Sequence, residues 1–246
     1  MIPKIIHYCW FGRNPLPESA MKCIDSWKRF FPDYEIKEWN EDNFDVNIIP
    51  YTKEAYEAKK YAFVSDYARM WILYHHGGLY FDTDVEVIKS MDDIVARGPF
   101  MGIEVEAKVD VFPLVAPGLG LGAEPMMDLY RNIMDYYTPL HFVREDGSFN
   151  QVTVVKHVTK VLVSNGLKQT NELQEVAGVW IYPREYFNPF DNNTGRMLKT
   201  ENTSSIHWYT KTWLKKNHPC RTWIVRRAHR YLGENCFWFL RKIFYK

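Results

Sequence analysis

Two aspartates, Asp82 and Asp84, stand two residues apart in the stretch HHGGLYFDTDVEV. Alternate side chains of a strand share a side, so both carboxylates would face the same way, together with Tyr80 and Glu86. Two such carboxylates repel each other unless a cation lies between them. Their oxygens suit Mg²⁺ or Mn²⁺, which proteins bind through one or two carboxylates and substrate phosphates. A solvated strand end is the alternative interpretation of so short a motif.

A second charged pair precedes the two glycines. Asp66 and Arg69, in SDYARMW, are three residues apart, so on a helix they share a face. The full spacing would bring a carboxylate, a guanidinium, a phenol and two more carboxylates close to one strand end. Such a set could bind both the hydroxyls of a sugar and a metal-bound pyrophosphate. Taken alone, the pair would be an ordinary ion pair on the surface.

Alternating strands and helices must position these residues. The patterns predict a strand in KIIHYCWF, a helix in PESAMKCIDSWKRFF, a strand in DYEIKEW, one or two glycine-capped helices in KEAYEAKKYAFVSDYARMWILYHHGG, and a strand in LYFDTDVEVI. This order indicates the α/β class, with a mostly parallel central sheet flanked by helices. Ligands of such sheets bind outside the carboxyl ends of the strands, where the DTD triplet falls.

Length, charge and cysteine content limit the classes of protein to which this sequence can belong. The 246 residues have ample length for one sizeable core, and a formal net charge of +1 offers no argument for nucleic acid as a partner. Four cysteines show no zinc-like spacing and are expected to be reduced thiols: Cys9, Cys23, Cys220 and Cys236. Neither a signal peptide nor an apolar run of about 18 residues is found, so the expected location is cytoplasmic.

Three motifs in order carry a resemblance to a known family. SDYARMWILYHHGGLYFDTDVEV resembles the DXD-containing sugar-transferase region of glycosyltransferase family 32, IPKIIHYCWFG its first strand, and IHWYTKTW its closing element. The family includes bacterial capsular and lipopolysaccharide transferases and yeast mannosyltransferases, and it is similar to the catalytic core of clostridial glucosylating toxins. The resemblance spans about residues 2–213, with IYPREYFNPF matched only loosely in between.

The resemblance implies a GT-A fold with a Rossmann-like nucleotide-sugar domain. It also implies retaining transfer of a hexose from a nucleotide sugar, with Mn²⁺ or Mg²⁺ as cofactor. By position, Trp10 would stack on the donor base. Asp66 and Arg69 would hold the hydroxyls of the donor sugar, with Tyr80 beside them.

The resemblance also assigns residues to the metal and to the diphosphate of the donor. Asp82 would reach the ribose or the water shell of the metal, Asp84 would coordinate the metal, and His207 would add a metal or phosphate contact. Thr212 and Trp213 match a serine and a tryptophan that contact the β-phosphate. The threonine keeps the hydroxyl donor and adds a methyl group.

Several alternatives stay open at this point. UDP-galactose or UDP-glucose is the preferred donor, with GDP-mannose possible, and the expected acceptor is a surface polysaccharide or a lipid-linked oligosaccharide. Segment 104–150 is expected to shape the acceptor side. No nucleophile or catalytic base is assigned. The triplet also fits an aspartate-based phosphatase, although Glu86 departs from that motif, or a non-catalytic sugar-binding module.

The end of the chain is basic. We expect a catalytic domain over residues 1–218 and a tail over 219–246 with seven cations and one anion, a net +6 that leaves −5 for the rest. If 221–232 is helical, apolar and arginine side chains fall on opposite arcs. This pattern predicts peripheral contact with an anionic membrane, at the inner face of the bacterial cytoplasmic membrane. A terminal helix packed on the domain is the alternative.

Overall fold

The computed structural model describes residues 1–210 and 225–230. Thr212 and Trp213, for which a phosphate contact is predicted, lie outside these residues, as do Cys220 and Cys236. The centre of the fold is an eight-stranded sheet, accompanied by two small two-stranded sheets. The strands are β1 Ile5–Cys9, β2 Glu35–Trp39, β3 Gly78–Tyr80, β4 Val85–Val87, β5 Phe100–Val105, β6 Leu114–Ala116, β7 Leu121–Ala123, β8 Gln174–Val176, β9 Val179–Tyr182, β10 Phe190–Asp191, β11 Arg196–Met197 and β12 Ser205–His207.

The main sheet has the order β2-β1-β3-β7-β5-β9-β8, with β6 beside β5. β1 is parallel to β2 and to β3, and β5 is parallel to β9. β7 runs antiparallel to both β3 and β5, so five strands (β1, β2, β3, β5 and β9) point the same way. The predicted α/β fold with a mostly parallel sheet is therefore confirmed.

Helices cover both faces of this sheet. They are α1 Glu18–Phe30, α2 Pro50–Glu57, α3 Tyr61–His76, α4 Asp92–Arg97, α5 Asp128–Tyr137, α6 Val154–Ser164 and α7 Arg184–Phe187. One apolar cluster holds buried side chains of α2, α3, α5 and α6, and the other those of α1, α4 and α7. On the second face the fully buried Trp27 packs on Phe81 at 5.4 Å between ring centres, and its indole N–H donates to the Val85 carbonyl (2.8 Å). Helix α1 thereby supports both ends of the DTD segment.

The glycine pair lets the chain reverse between α3 and β3. Gly77 caps α3 with a φ of 64°, and Gly78 begins β3 with a φ of 96°. Both values lie in the left-handed region, which side chains rarely adopt. A Cβ on Gly78 would also meet the Ile5 carbonyl at 2.6 Å, so glycine is required for the close approach of β1.

The strand predicted through LYFDTDVEVI is interrupted. β3 ends at Tyr80, and β4 begins at Val85 in a different sheet, so the triplet forms the turn between them. In this turn the Val85 N–H donates to the Asp82 carbonyl (3.0 Å). The prediction that Tyr80, Asp82, Asp84 and Glu86 share one side of a continuous strand is therefore wrong. The turn lets each aspartate meet a different partner, which relieves the repulsion between the carboxylates.

Cys9 and Cys23 are free thiols, and both are buried, as predicted for small apolar side chains. Within residues 1–210 and 225–230, no helix is long and apolar enough to cross a membrane.

The described part of the tail, 225–230, is helical and lies against the turn that follows β10. Arg226 donates to the Asn192 carbonyl (3.2 Å) and amide oxygen (3.1 Å), and Arg230 donates to the Thr194 carbonyl (3.0 Å). These contacts favour packing on the domain for this segment. Ile224, Tyr231 and Leu232, which the predicted apolar arc includes, lie outside the described residues.

Candidate active site

Helix α3 brings Asp66 and Arg69 to one face, as their spacing predicts. Arg69 Nη2 lies 3.0 Å from Asp66 Oδ1, and Arg69 Nε donates to the Ser65 carbonyl (3.0 Å). The Arg69 side chain is only 4% exposed and the Asp66 side chain 11%, so the alternative of a surface ion pair is wrong. Buried charges of this kind persist only when they are paired and hydrogen-bonded.

Arg69 also reaches across to the turn after β3. Its Nη1 lies 3.2 Å from Asp82 Oδ2 and donates to the Pro117 carbonyl (3.3 Å). The Tyr80 hydroxyl donates to the other oxygen, Asp82 Oδ1 (3.1 Å), and the guanidinium lies 5.0 Å from the centre of the Tyr80 ring. Asp82 is therefore held by two donors, and the buried Tyr80 supports it from below.

Asp84 has a separate set of partners, which belong to β12 and to the segment directly after it. β12 pairs with β4 so that His207 stands opposite Val85. His207 Nε2 then lies 3.1 Å from Asp84 Oδ1, while the N–H and hydroxyl of Thr210 donate to Oδ2 (2.9 and 3.1 Å). Sequence reasoning missed Thr210. Its only signal was a hydroxyl three residues after His207, in IHWYTKTW.

The surroundings set different charge states for the three carboxyls. Burial raises the pKa of Asp66 to about 7 although Arg69 opposes it, and burial raises the pKa of Asp82 against the same guanidinium. Burial would also raise the pKa of Asp84, but His207 and the Thr210 donors outweigh it and lower that pKa to about 2. Burial lowers the pKa of His207, but the Asp84 charge outweighs this and raises it. Asp84 is thus the carboxyl most firmly kept ionised.

Asp84 and His207 together fit a divalent metal. His207 Nε2 and Asp84 Oδ1 lie 3.1 Å apart as an ion pair, so the imidazole would have to lose its proton before Nε2 could bind a cation beside the carboxylate. Within residues 1–210 and 225–230, no group of three or more His, Cys, Asp and Glu side chains could hold a metal ion. Because Mg²⁺ and Mn²⁺ usually bind through one or two carboxylates together with substrate phosphates, these two side chains would need a bound phosphate to complete a metal site.

Trp10 stands directly after β1. Its indole N–H donates to the Asn14 carbonyl (2.6 Å). It opens onto a cleft at the carboxyl ends of β1 and β2, lined by Trp10, Arg13, Asn14, Pro15, Glu38, Asn40 and Glu41. The indole gives the Trp10 cleft an aromatic surface on which a flat ring can stack, while the carboxylates of Glu38 and Glu41 are already engaged by Tyr8, Asn40 and the Gly12 N–H.

Gly118, between β6 and β7, is a further site residue that sequence reasoning missed. The Asp82 N–H donates to its carbonyl (3.2 Å). A Cβ at Gly118 would overlap Asp82 Oδ2 and would lie 3.1 Å from Arg69 Nη1. The glycine in APGLGLGAEP therefore belongs to the Arg69–Asp82 side of the site.

Comparison with known proteins identifies this region. Residues 17–101 match the family described as "Glycosyltransferase sugar-binding region containing DXD motif". Residues 17–101 of this chain therefore correspond to the sugar-binding region of that family. The sugar-binding region includes Asp66, Arg69, Tyr80, Asp82 and Asp84, while Trp10, His207 and Thr210 lie outside the match.

Curated relatives of this chain include "Inositol phosphoceramide mannosyltransferase 1" of Schizosaccharomyces pombe. It is 29% identical over 111 residues, which cover 41% of this chain and 33% of that protein. The chain thus spans about a third of the length of this relative. "Uncharacterized glycosyltransferase L373" of Acanthamoeba polyphaga mimivirus is 26% identical over 200 residues, 76% of each protein.

A solved structure shares the fold. It is titled as a glycosyltransferase involved in the glycosylation of the major capsid of PBCV-1, and it superposes with a TM-score of 0.51 at 10% identity. The superposition covers 85% of this chain and 95% of that one. The GT-A-type fold that the sequence predicts is thereby confirmed.

Proposed function

We propose that this chain is a metal-dependent, retaining glycosyltransferase that moves a hexose from a nucleotide sugar to a hydroxyl of an acceptor. The observation that carries the proposal is the buried Arg69, which bridges Asp66 and Asp82 at the strand end beside the Asp84–His207 pair. Such a site offers donors and acceptors for a sugar and an ionised carboxylate for a metal at one sheet edge.

In this proposal Asp66 and Arg69 bind the donor sugar. Asp66 has one oxygen on Arg69, and within the described residues no donor contacts the other, which remains for a sugar hydroxyl. Arg69 is a rigid fork of donors, already aligned by four contacts, so little entropy is lost when a sugar binds. Asp82, held by Arg69 and Tyr80, would reach the ribose or the water shell of the metal.

Asp84 and His207 would hold Mn²⁺ or Mg²⁺. When bound, the metal supplies positive charge where the departing nucleoside diphosphate becomes more negative. Because Asp84 is ionised well below neutral pH, it needs no deprotonation before it can bind a cation. Thr212 and Trp213 would add donors to the β-phosphate, as the resemblance implies.

The Trp10 cleft would receive the nucleoside base. UDP-galactose and UDP-glucose are the donors that the resemblance of HYCWFG to the toxins favours. Matched relatives are named mannosyltransferases, which supports GDP-mannose as the competing donor. Both donor classes therefore belong in one screen.

The acceptor would be a surface polysaccharide or a lipid-linked oligosaccharide. The names of the inositol phosphoceramide mannosyltransferases support a lipid acceptor. Peripheral attachment to the inner face of the cytoplasmic membrane, through the basic tail, would suit a lipid-linked substrate, and it is part of the proposal.

Donor hydrolysis tests the proposed function. The chain is incubated with UDP-galactose, UDP-glucose or GDP-mannose, with Mn²⁺ or with a chelator, and released nucleotide and sugar are measured. We expect slow, Mn²⁺-dependent release from one donor, and a loss of about 100-fold or more in Asp84→Ala, because the metal stabilises the leaving charge. Asp33→Ala is the matched control and should keep wild-type activity, because Asp33 is an exposed carboxylate whose one ion pair among the described residues, with Lys4, is 3.8 Å long.

Each alternative has its own outcome. Phosphate release from p-nitrophenyl phosphate without any nucleotide would support the aspartate-based phosphatase. Binding of a nucleotide sugar with no turnover in any condition would support a sugar-binding module. Activity of Asp84→Ala within a few-fold of wild type would mean that Asp84 has a structural role only.

A further inference from the structure

Glu104 is a carboxylate at the same sheet edge as the DTD turn, and no role is known for it. It lies near the end of β5, which runs in the direction of β1 and β3. In the sheet order, β3 separates the β1 and β2 ends of the Trp10 cleft from β7 and β5. At about 4.8 Å per strand, β3 and β5 are about 10 Å apart, and β5 continues beyond the level of Tyr80, which the register on β7 places beside Met101. Glu104 therefore lies beyond the DTD turn, on the side away from Trp10.

The position of Glu104 indicates from which side an acceptor can approach the bound donor. A donor with its base on Trp10 and its diphosphate at Asp84 already occupies the edge from β1 to β3. The group that attacks the sugar must approach from outside the space of the donor. The β5 end is the neighbouring part of the edge, so Glu104 lies where an acceptor would enter.

A directed chain of hydrogen bonds holds Glu104. The Asn188 side-chain amide donates to the Tyr209 hydroxyl (2.7 Å) and to the Glu104 carbonyl (3.3 Å). The Tyr209 hydroxyl in turn donates to Glu104 Oε1 (2.9 Å). Because donors in series polarise one another, each bond strengthens the next and fixes the carboxylate.

Tyr209 links this chain to the metal-binding pair. Its ring lies 4.0 Å from the ring of His207, centre to centre, and its φ is 52°, a left-handed value that is strained for a non-glycine residue. Strained residues of this kind persist where the surroundings fix them, and here the result is a tyrosine directed from His207 to Glu104.

The second oxygen of Glu104 remains available. Within residues 1–210 and 225–230, no donor contacts Oε2, and the side chain is half-buried. An ionised carboxylate only accepts hydrogen bonds, so its natural partner is a hydroxyl or an N–H group of a ligand. The partially desolvated position makes one such bond worth more than it would be in bulk water.

We propose that Glu104 binds a hydroxyl of the acceptor sugar and orients it toward the donor. Asn188 and Tyr209 are positioning residues, which act through Glu104. The inference rests on the proposed function, because it assigns the acceptor half of the same site. It identifies the acceptor by chemistry, as a hexose with a free hydroxyl at the β5 edge.

The isosteric substitution Glu104→Gln tests this assignment. Wild type is assayed with its donor and the methyl α- and β-glycosides of glucose, galactose and mannose, and transfer to each glycoside is measured beside hydrolysis to water. We expect Glu104→Gln to lower transfer about tenfold or more through a higher KM for the glycoside, with donor hydrolysis and donor KM within about twofold. Tyr209→Phe should raise the glycoside KM by a smaller factor. Glu106→Gln, on an exposed residue of the same segment, should change nothing.

The outcomes separate the two proposals. Equal losses of transfer and hydrolysis in Glu104→Gln would assign Glu104 to the donor or to the fold, and unchanged transfer would exclude contact with the acceptor. Hydrolysis by wild type with no glycoside ever modified would overturn the hexose subsite while the proposed function stands. Absence of both reactions with every donor would overturn the proposed function and the inference together.

Discussion

The two aspartates of the DTD triplet have different partners, and this difference determines how each can be tested. Asp82 and Asp66 share the buried Arg69, so removal of Arg69 leaves both carboxylates without their cation, at a cost of about 3–5 kcal/mol. In Arg69→Ala, a loss of activity caused by unfolding would therefore be hard to distinguish from a loss of activity caused by the missing contact with the donor sugar. Among the described residues, the Asp84 side chain contacts His207 and Thr210, so its removal leaves the Arg69 ion pairs intact and makes it the cleaner probe of the metal.

Gly118→Ala is the sharpest residue-scale prediction. The added methyl group would overlap Asp82 Oδ2, so the carboxylate must shift away from Arg69. A displacement of about 1 Å in such a site can cost about 100-fold, and we expect donor hydrolysis to fall by about tenfold or more. Overpacking should lower the free energy of unfolding by about 1–3 kcal/mol. Steady-state hydrolysis and urea denaturation measure the two effects.

Gly147→Ala is the control for this variant. A Cβ there would meet nothing within 4 Å, although its φ of 77° strains a side chain. This substitution should cost some stability and leave hydrolysis unchanged. If Gly118→Ala kept full activity, the contact between Gly118 and Asp82 would have no importance for the site.

At the scale of elements, one buried histidine ties together the three strands that lead to the site. His7 on β1 accepts the indole N–H of Trp39 at Nδ1 (3.0 Å), and its Nε2 lies 3.0 Å from the Gly77 carbonyl, just before β3. These partners require the neutral ring with its proton on Nε2. Burial lowers the pKa of His7 to about 4, although the Gly77 carbonyl opposes this.

This depressed pKa predicts a loss of stability in acid. The unfolded state takes up the proton near pH 6.5 and the folded state only near pH 4, so the unfolded state binds more protons between these values. The contribution of His7 is therefore complete above about pH 6.5 and declines as the pH falls toward 4, by up to about 3 kcal/mol. Urea denaturation of wild type and His7→Asn at about pH 7.5 and 4.5 measures it. The variant should lose less stability on acidification.

Other groups also titrate in this range, so the comparison needs a matched histidine. His75 is exposed at the end of α3, and its Nδ1 lies 2.8 Å from the Trp71 carbonyl. His75→Asn should lose as much stability as wild type does on acidification. Identical behaviour of His7→Asn and wild type would contradict the prediction.

At the scale of the whole molecule, charge is divided between the domain and the tail. The +6 of residues 219–246 opposes the −5 of the rest. In the described segment, Arg226 and Arg230 bind carbonyl and amide oxygens, which leave the positive charges uncancelled. A helix that packs on the domain through these arginines can therefore still contribute to a basic surface.

We predict that a chain ending at His218 loses binding to anionic vesicles. Each cation near such a surface contributes about 1 kcal/mol, so co-sedimentation with phosphatidylserine-containing vesicles should fall by about tenfold or more. Phosphatidylcholine vesicles are the control, and neither chain should bind them strongly. Equal binding of the two chains would exclude the tail as the anchor. A lower melting temperature of the short chain, with no change in vesicle binding, would support packing alone.

Several features followed from the sequence because they depend on neighbours along the chain. The spacing of Asp66 and Arg69 puts them on one helix face, and the glycine pair at Gly77 ends α3 and begins β3. The position of the triplet at a strand end was also predictable from the alternation of strands and helices. Even so, the alternating pattern of LYFDTDVEVI did not reveal the turn at Asp82, because a turn and a strand end look alike in sequence.

Only the tertiary structure decided which distant residues meet at the site. Thr210 binds Asp84 across 126 positions, Tyr209 binds Glu104 across 105, and Arg69 binds the Pro117 carbonyl beside Gly118 across 48. These contacts depend on the order of strands in the sheet and on the pairing of β12 with β4. Local patterns determine the direction of a side chain within its own element, whereas the packing of whole elements determines what it faces.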